Sequence, residues 1–108
     1  GVDAVAIATP ASTHSDMVRK ALEHDKHVFV EKPLAYSEEE ALELTKLAET
    51  KSCQLMIGHI MLYHPTIEFL MNKVQKGDLG DISYAYTTRV NLGLIRADAN
   101  VLLNLGVQ

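Results

Sequence analysis

Tryptophan is absent from the 108 residues, and cysteine occurs once, at Cys53. A lone cysteine cannot close an internal disulfide, which fits a reducing compartment, and in its apolar-flanked stretch Cys53 reads as an inert core thiol. Long hydrophobic runs are missing too. None approaches the roughly 20 residues that span a bilayer, and no charged segment leading into an apolar stretch opens the chain. A cytoplasmic protein without a membrane partner is expected. Basic clustering is also lacking: 10 Lys and Arg stand against 14 Asp and Glu, for a net charge of −4. Nucleic-acid binding needs gathered cations to displace counterions, so it is not expected. No low-complexity linker and no internal repeat is found. The chain also lacks a starting Met: it begins at Gly1 directly on a strand pattern and stops at Gln108 without a closing helix. An internal piece of a longer protein is expected.

What remains is the composition of a folded protein, 47% apolar and 22% charged with the signs interspersed. Ala4 to Ala8 is a short apolar run stopped by Thr9-Pro10, and it predicts a strand buried on both faces. A helix should follow, capped by Thr13 with Asp16 three residues on, and carrying the stripe Met17, Val18, Ala21, Leu22. His27 to Val30 predicts the next strand, stopped by Glu31-Lys32-Pro33. Ser37 to Glu40 is a capping box, and Ala41, Leu44, Leu47 and Ala48 form the stripe of the helix it starts. Gln54 to Ile57 predicts a third strand, ended by Gly58-His59. Strands alternating with helices in this way predict a parallel α/β sheet with right-handed crossovers.

The pattern changes near residue 60. Pro65 opens a helix with Ile67, Leu70, Met71 and Val74 at helical spacing. A turn at Gly77-Asp78-Leu79-Gly80 ends it. Residues 81–91, rich in Tyr, Thr and Val, predict a long strand of an antiparallel sheet. Two units are therefore expected, 1–60 and 61–108.

In an open parallel sheet, ligands bind beyond the carboxyl ends of the strands. Thr9-Pro10, Glu31-Lys32-Pro33 and Gly58-His59 all follow strands directly, so one edge gathers all three. Lys32 is the sharpest candidate there. Oxidation of an alcohol to a ketone needs a hydride to leave carbon and a proton to leave oxygen. A lysine made neutral by partial burial can take that proton, and the ammonium so formed stabilises the developing alkoxide. A solvent-exposed lysine, or one paired with Glu31, is the plainer alternative. Pro33 confines Lys32 to extended geometry, and a cis bond there is expected to set the direction of the amine. His14, beyond the first strand, either approaches a cofactor or is an exposed first-turn residue. His59 and His64 are five apart, and no His, Cys or Asp grouping has metal spacing, so no metal is expected. Neither a nucleophile elbow nor the glycine-rich dinucleotide fingerprint occurs. The fingerprint belongs to an earlier strand–helix unit.

The ordered set Asp3-Ala4-Val5, Ala8-Thr9-Pro10 with His14, Lys26-His27-Val28, Glu31-Lys32-Pro33-Leu34-Ala35, Met56-Ile57-Gly58-His59, Tyr63-His64-Pro65, Gly77 to Ile82 and Asn104-Leu105-Gly106 resembles the Gfo/Idh/MocA oxidoreductases. That resemblance implies the C-terminal part of a Rossmann domain that binds NAD or NADP, running into an α/β substrate domain with a mainly antiparallel sheet, often oligomeric. It implies a small sugar-type substrate. It places Thr9, Pro10, His14 and Glu31 along the cofactor and Lys32 between cofactor and substrate hydroxyl. It further implies substrate-side roles for His59, Asn104 and Gln108. The run from Arg89 to Leu102 is similar to the 3-dehydrogenases of UDP-N-acetyl sugars. Two departures stand out. Leu62 replaces a frequent Arg, and the family's Asp-x-Gly-x-His element reads Asn104-Leu105-Gly106-Val107-Gln108. Glutamine cannot cycle a proton as histidine can, which favours a non-catalytic binding relative acting as sensor or subunit. Glu31-Lys32-Pro33 favours an enzyme.

Overall fold

A computed structural model describes residues 1–88 of the chain. Three parallel strands, β1 (Ala4–Ile7), β2 (His27–Val30) and β3 (Leu55–Ile57), lie in the order β1-β2-β3. Two α-helices make the crossovers, α1 (His14–Glu23) and α2 (Glu38–Thr50), and a third, α3 (Pro65–Gln75), follows the sheet. Short 3-10 turns at Ala11–Thr13 and Ile60–Tyr63, neither legible in the sequence, precede α1 and α3.

Helices α1 and α2 bury their stripes against one face of the sheet. Val18 and Leu22 meet Leu44 and Ala48 there, over Ile7, Val28 and Val30. Removing a side chain such as Leu22 or Leu44 from water contributes about 1.5–3 kcal/mol before entropy costs. The predicted stripes are trimmed at their edges: Met17 stays exposed, while Ala21, Ala41 and Leu47 are half-buried. Cys53 packs at the margin of the same core.

Three sequence expectations need correction. First, β1 is buried on one face only. Ala4 and Ala6 are exposed, as are Phe29 and Met56 beside them, because both crossover helices lie on the Val5–Ile7 side. The apolar run reported strand propensity on both faces but could not say which layers cover them. Second, Thr13 does not cap α1 with its side chain. The 3-10 turn turns its hydroxyl back, to 2.7 Å from Thr9 Oγ1 and 2.8 Å from the Pro10 carbonyl. Third, residues 81–88 form no strand. Composition supplies β propensity, but a strand exists only through a ladder to a neighbour, and these residues have none among the described residues. Residues 89–91 of that predicted strand, and the remainder of the expected antiparallel domain, lie outside the described residues.

Other local expectations are met. Ser37 Oγ accepts from the Glu40 amide at 3.2 Å. Pro65 takes the first turn of α3, where its missing N–H costs nothing. Gly77 and Gly80 adopt φ of 72° and 65° in the turn after it, a region that disfavours side chains with Cβ.

Candidate active site

Register brings the three strand ends level. Ile7 pairs with Val30, and Val30 with Ile57. One step further, the Glu31 amide donates to the Ile7 carbonyl at 2.9 Å, and the Gly58 amide donates to the Val30 carbonyl at 2.8 Å. The residues that leave the sheet next are therefore Thr9-Pro10, Lys32-Pro33 and His59, side by side on the carboxyl edge. Parallel pairing dictates this: every strand points the same way, so every exit loop opens on the same edge.

Each loop has its own local cause. Thr9 and Pro10 are exposed, and the Thr13 amide closes the turn behind them by donating to the Pro10 carbonyl at 2.9 Å. Glu31 and Lys32 are half-buried, while Pro33 and Leu34 are buried. The Lys32–Pro33 bond is cis. Glu31 rests on the third strand end: a Cβ placed on Gly58 would stand 3.3 Å from Glu31 Oε2 and 3.4 Å from its Cδ. Gly58 is itself buried, so the missing side chain makes the space that the Glu31 carboxylate fills. The sequence reading took Gly58 only as a strand stop. A glycine at a strand end is the signal for such a close approach.

His14 overturns one of its two expectations, that of an exposed residue. It is 1% exposed, the one buried polar side chain among the described residues. Its Nδ1 lies 2.7 Å from the Pro33 carbonyl and its Nε2 lies 2.9 Å from the Thr9 carbonyl. It is not an exposed first-turn residue, and both ring nitrogens face backbone carbonyls. The role of the Pro33 carbonyl was invisible in the sequence, because a contact across 19 positions leaves no local pattern.

His59 is half-buried at the end of β3, and its carbonyl accepts from the Leu62 amide at 3.1 Å as the next turn begins. His64 accepts from the Thr66 amide through Nδ1 at 3.2 Å and caps α3, so it does structural work. Asn104 and Gln108 lie outside the described residues, as does the stretch from Arg89 to Leu102. Among the described residues no cluster of three or more His, Cys, Asp or Glu gathers where a metal could sit, and no helix is long and apolar enough to cross a membrane.

A parallel α/β sheet with loops converging on its carboxyl edge defines the class of open α/β proteins, which bind ligands at that edge. The family described as the GFO_IDH_MocA oxidoreductase family, NAD-binding Rossmann fold, matches residues 1–59, and the chain belongs to it. Among its relatives is 2,7-anhydro-N-acetylneuraminate hydratase of Escherichia coli, 35% identical over 88 residues, which are 82% of this chain and 24% of the relative. UDP-N-acetylglucosamine 3-dehydrogenase of Acidithiobacillus ferrooxidans is 42% identical over 69 residues, 64% of this chain and 22% of the relative. A solved inositol dehydrogenase homologue of Azotobacter vinelandii, complexed with NADH and myo-inositol, superposes with a TM-score of 0.72 at 36% identity. That match covers 75% of this chain and 21% of the solved one. The chain spans about a quarter of the length of the curated relatives it matches.

Proposed function

We propose that the complete protein transfers a hydride between NAD or NADP and a secondary hydroxyl of a sugar, sugar nucleotide or polyol. The observation that carries this reading is the level alignment of three strand ends, which sets Thr9-Pro10, Glu31-Lys32 and Gly58-His59 on one edge. Exposed Thr9 and Pro10 leave that edge open for a dinucleotide, and the hollow over Gly58 holds a carboxylate beside it, so the residues present fit the cofactor. The nicotinamide, when bound, takes or gives the hydride.

This chain's residues supply the rest. Thr9 and Pro10 border the dinucleotide. Glu31, propped over Gly58, offers acceptor oxygens to a ribose hydroxyl. Lys32 takes the proton of the substrate hydroxyl as the hydride leaves carbon, so that alcohol becomes ketone with charge balanced. In the reverse direction the lysine returns the proton. His59 borders the substrate, and Asn104 and Gln108 take the substrate-side roles that the resemblance implies. The division into 1–60 and 61–108 accords with a family match that stops at residue 59. A cytoplasmic homo-oligomer completes the reading.

One relative is named a hydratase, and hydration is not a net oxidation. The test is to supply the complete protein with NAD and NADP, together with inositols, free sugars and UDP-N-acetyl sugars, and to follow reduced nicotinamide and product mass. Accumulation of reduced nicotinamide with at least one polyol or sugar supports the proposal. Hydrated product without net reduction replaces it with the hydratase reading. Dinucleotide binding without turnover of any substrate replaces it with the sensor reading that Gln108 favours.

A further inference from the structure

The most buried polar side chain of the described residues has no part in the reaction just outlined. His14 is 1% exposed, yet it sits among the loops that carry the site. Its two ring nitrogens face two carbonyls that belong to different exit loops: Thr9, after β1, and Pro33, in the residue following Lys32. Carbonyl oxygens only accept, so the ring bonds through N–H: a neutral ring, with one N–H, donates to one carbonyl and packs its other edge against the second. The backbone joins the same two segments one step deeper, where the Glu31 amide meets the Ile7 carbonyl at 2.9 Å. Beyond that step the sheet ladder stops. Past that step, His14 is a side chain among the described residues that spans the two loops.

We propose that His14 is a positioning residue, not a cofactor ligand. It ties the Thr9 loop to the Pro33 loop and so fixes Glu31 and Lys32 relative to the exposed Thr9-Pro10 face. Three features support this. Both nitrogens are aimed at backbone carbonyls, so neither faces the edge where a ribose would lie. The ring is enclosed, so a ligand on the edge meets the loops and not the imidazole. The ring is anchored at the start of α1, whose Val18 and Leu22 are fully buried, so the tie is fastened to the core and not to a mobile segment. A ring without an N–H leaves a carbonyl facing a buried space without its donor.

The functional arm rests on the reading of Lys32 given above, whereas the structural arm does not. His14→Phe keeps the ring volume and removes every N–H that could reach the Thr9 or Pro33 carbonyl. His14→Gln keeps an N–H donor that can reach one carbonyl. In the complete protein, amide exchange over residues 31–36 should rise about tenfold or more in His14→Phe and less in His14→Gln, while exchange over Leu44–Ala48 stays at the wild-type rate. If His14→Phe fails to fold, His14→Gln alone decides the matter by the same comparison. Unchanged exchange over 31–36, or an equal rise over Leu44–Ala48, overturns the proposal. In turnover, kcat should fall about tenfold to a hundredfold from misplacement of the reacting groups, with dinucleotide Kd within about threefold of wild type. A Kd that rises as far as kcat falls makes His14 a cofactor contact and overturns the proposal. If no substrate turns over at all, the oxidoreductase reading fails, and the exchange comparison still decides the tie.

Discussion

Residues 1–59 and residues 60–88 carry equally regular apolar stripes, yet only the first set is buried. In α1 and α2, Val18, Leu22, Leu44 and Ala48 disappear into one core. In α3 the stripe Ile67, Leu70, Met71 and Val74 has no buried member, and Leu70 and Met71 remain 48% and 50% exposed. Periodicity thus states which side of a helix is to be covered. It does not state what covers it. In the first region the partner lies within 30 residues of sequence. In the second, none is found among the described residues.

Stability measurements can break that contrast. In the 108-residue chain, Leu22→Ala should cost about 2–5 kcal/mol, since it opens a cavity in a closed core, while Leu70→Ala should stay within about 0.5 kcal/mol. Equal losses in denaturant titrations would mean that α3 is packed as tightly as α1. Gly58→Ala is the next largest change. Its new Cβ would crowd the Glu31 carboxylate at 3.3 Å, and displacing that flexible side chain should cost about 1 kcal/mol. In the complete protein this should appear as a dinucleotide Kd about fivefold weaker by calorimetry. Ser37→Ala removes the cap on α2 and should lower stability by about 1 kcal/mol. Its counterpart His64→Ala at α3 should have less effect, because α3 is not docked on the core.

The smallest effect concerns a surface pair. Lys51 Nζ donates to Asp25 Oδ1 at 2.8 Å and to the Glu23 carbonyl at 3.1 Å. The bond from Lys51, with its charge, holds the Asp25 carboxyl below its usual range, and the same bond from Asp25 holds the Lys51 amine above its own. The sign follows for each. The aspartate contribution is present above the unfolded carboxylate range and is lost as pH falls through the lowered value. The lysine contribution is present below the unfolded lysine range and is lost as pH rises through the raised value. Both groups face solvent, so a small plateau between those limits should shrink further with added salt. Thermal melts of wild type and Lys51→Met across pH should differ within the plateau and converge at both ends.

Much of the sheet was legible because short strands and their stops obey local rules. Val28 and Val30 could only alternate to one face, and Glu31-Lys32-Pro33 could only end β2. The carboxyl-edge cluster followed from parallel pairing alone. What escaped was tertiary. For His14 the sequence offers a cofactor contact or an exposed helix start, but not a buried tie, because the Thr9 and Pro33 carbonyls are brought to it by the sheet and not by the neighbouring sequence. Thr13 looked like a cap until the 3-10 turn redirected its hydroxyl. The open face of β1 was misread because an alternating Ala-Val-Ala-Ile run suits one covered face as well as two.

The central claim is that the edge built from Glu31, Lys32 and Gly58 performs alcohol oxidation with Lys32 as proton carrier. The most direct test compares wild-type complete protein with Lys32→Ala, measuring kcat on the substrate that reduces NAD or NADP and dinucleotide Kd side by side. The account predicts that kcat falls by about 10²–10⁴ while Kd changes by less than about threefold. A Lys32→Ala enzyme that turns over at the wild-type rate would contradict it.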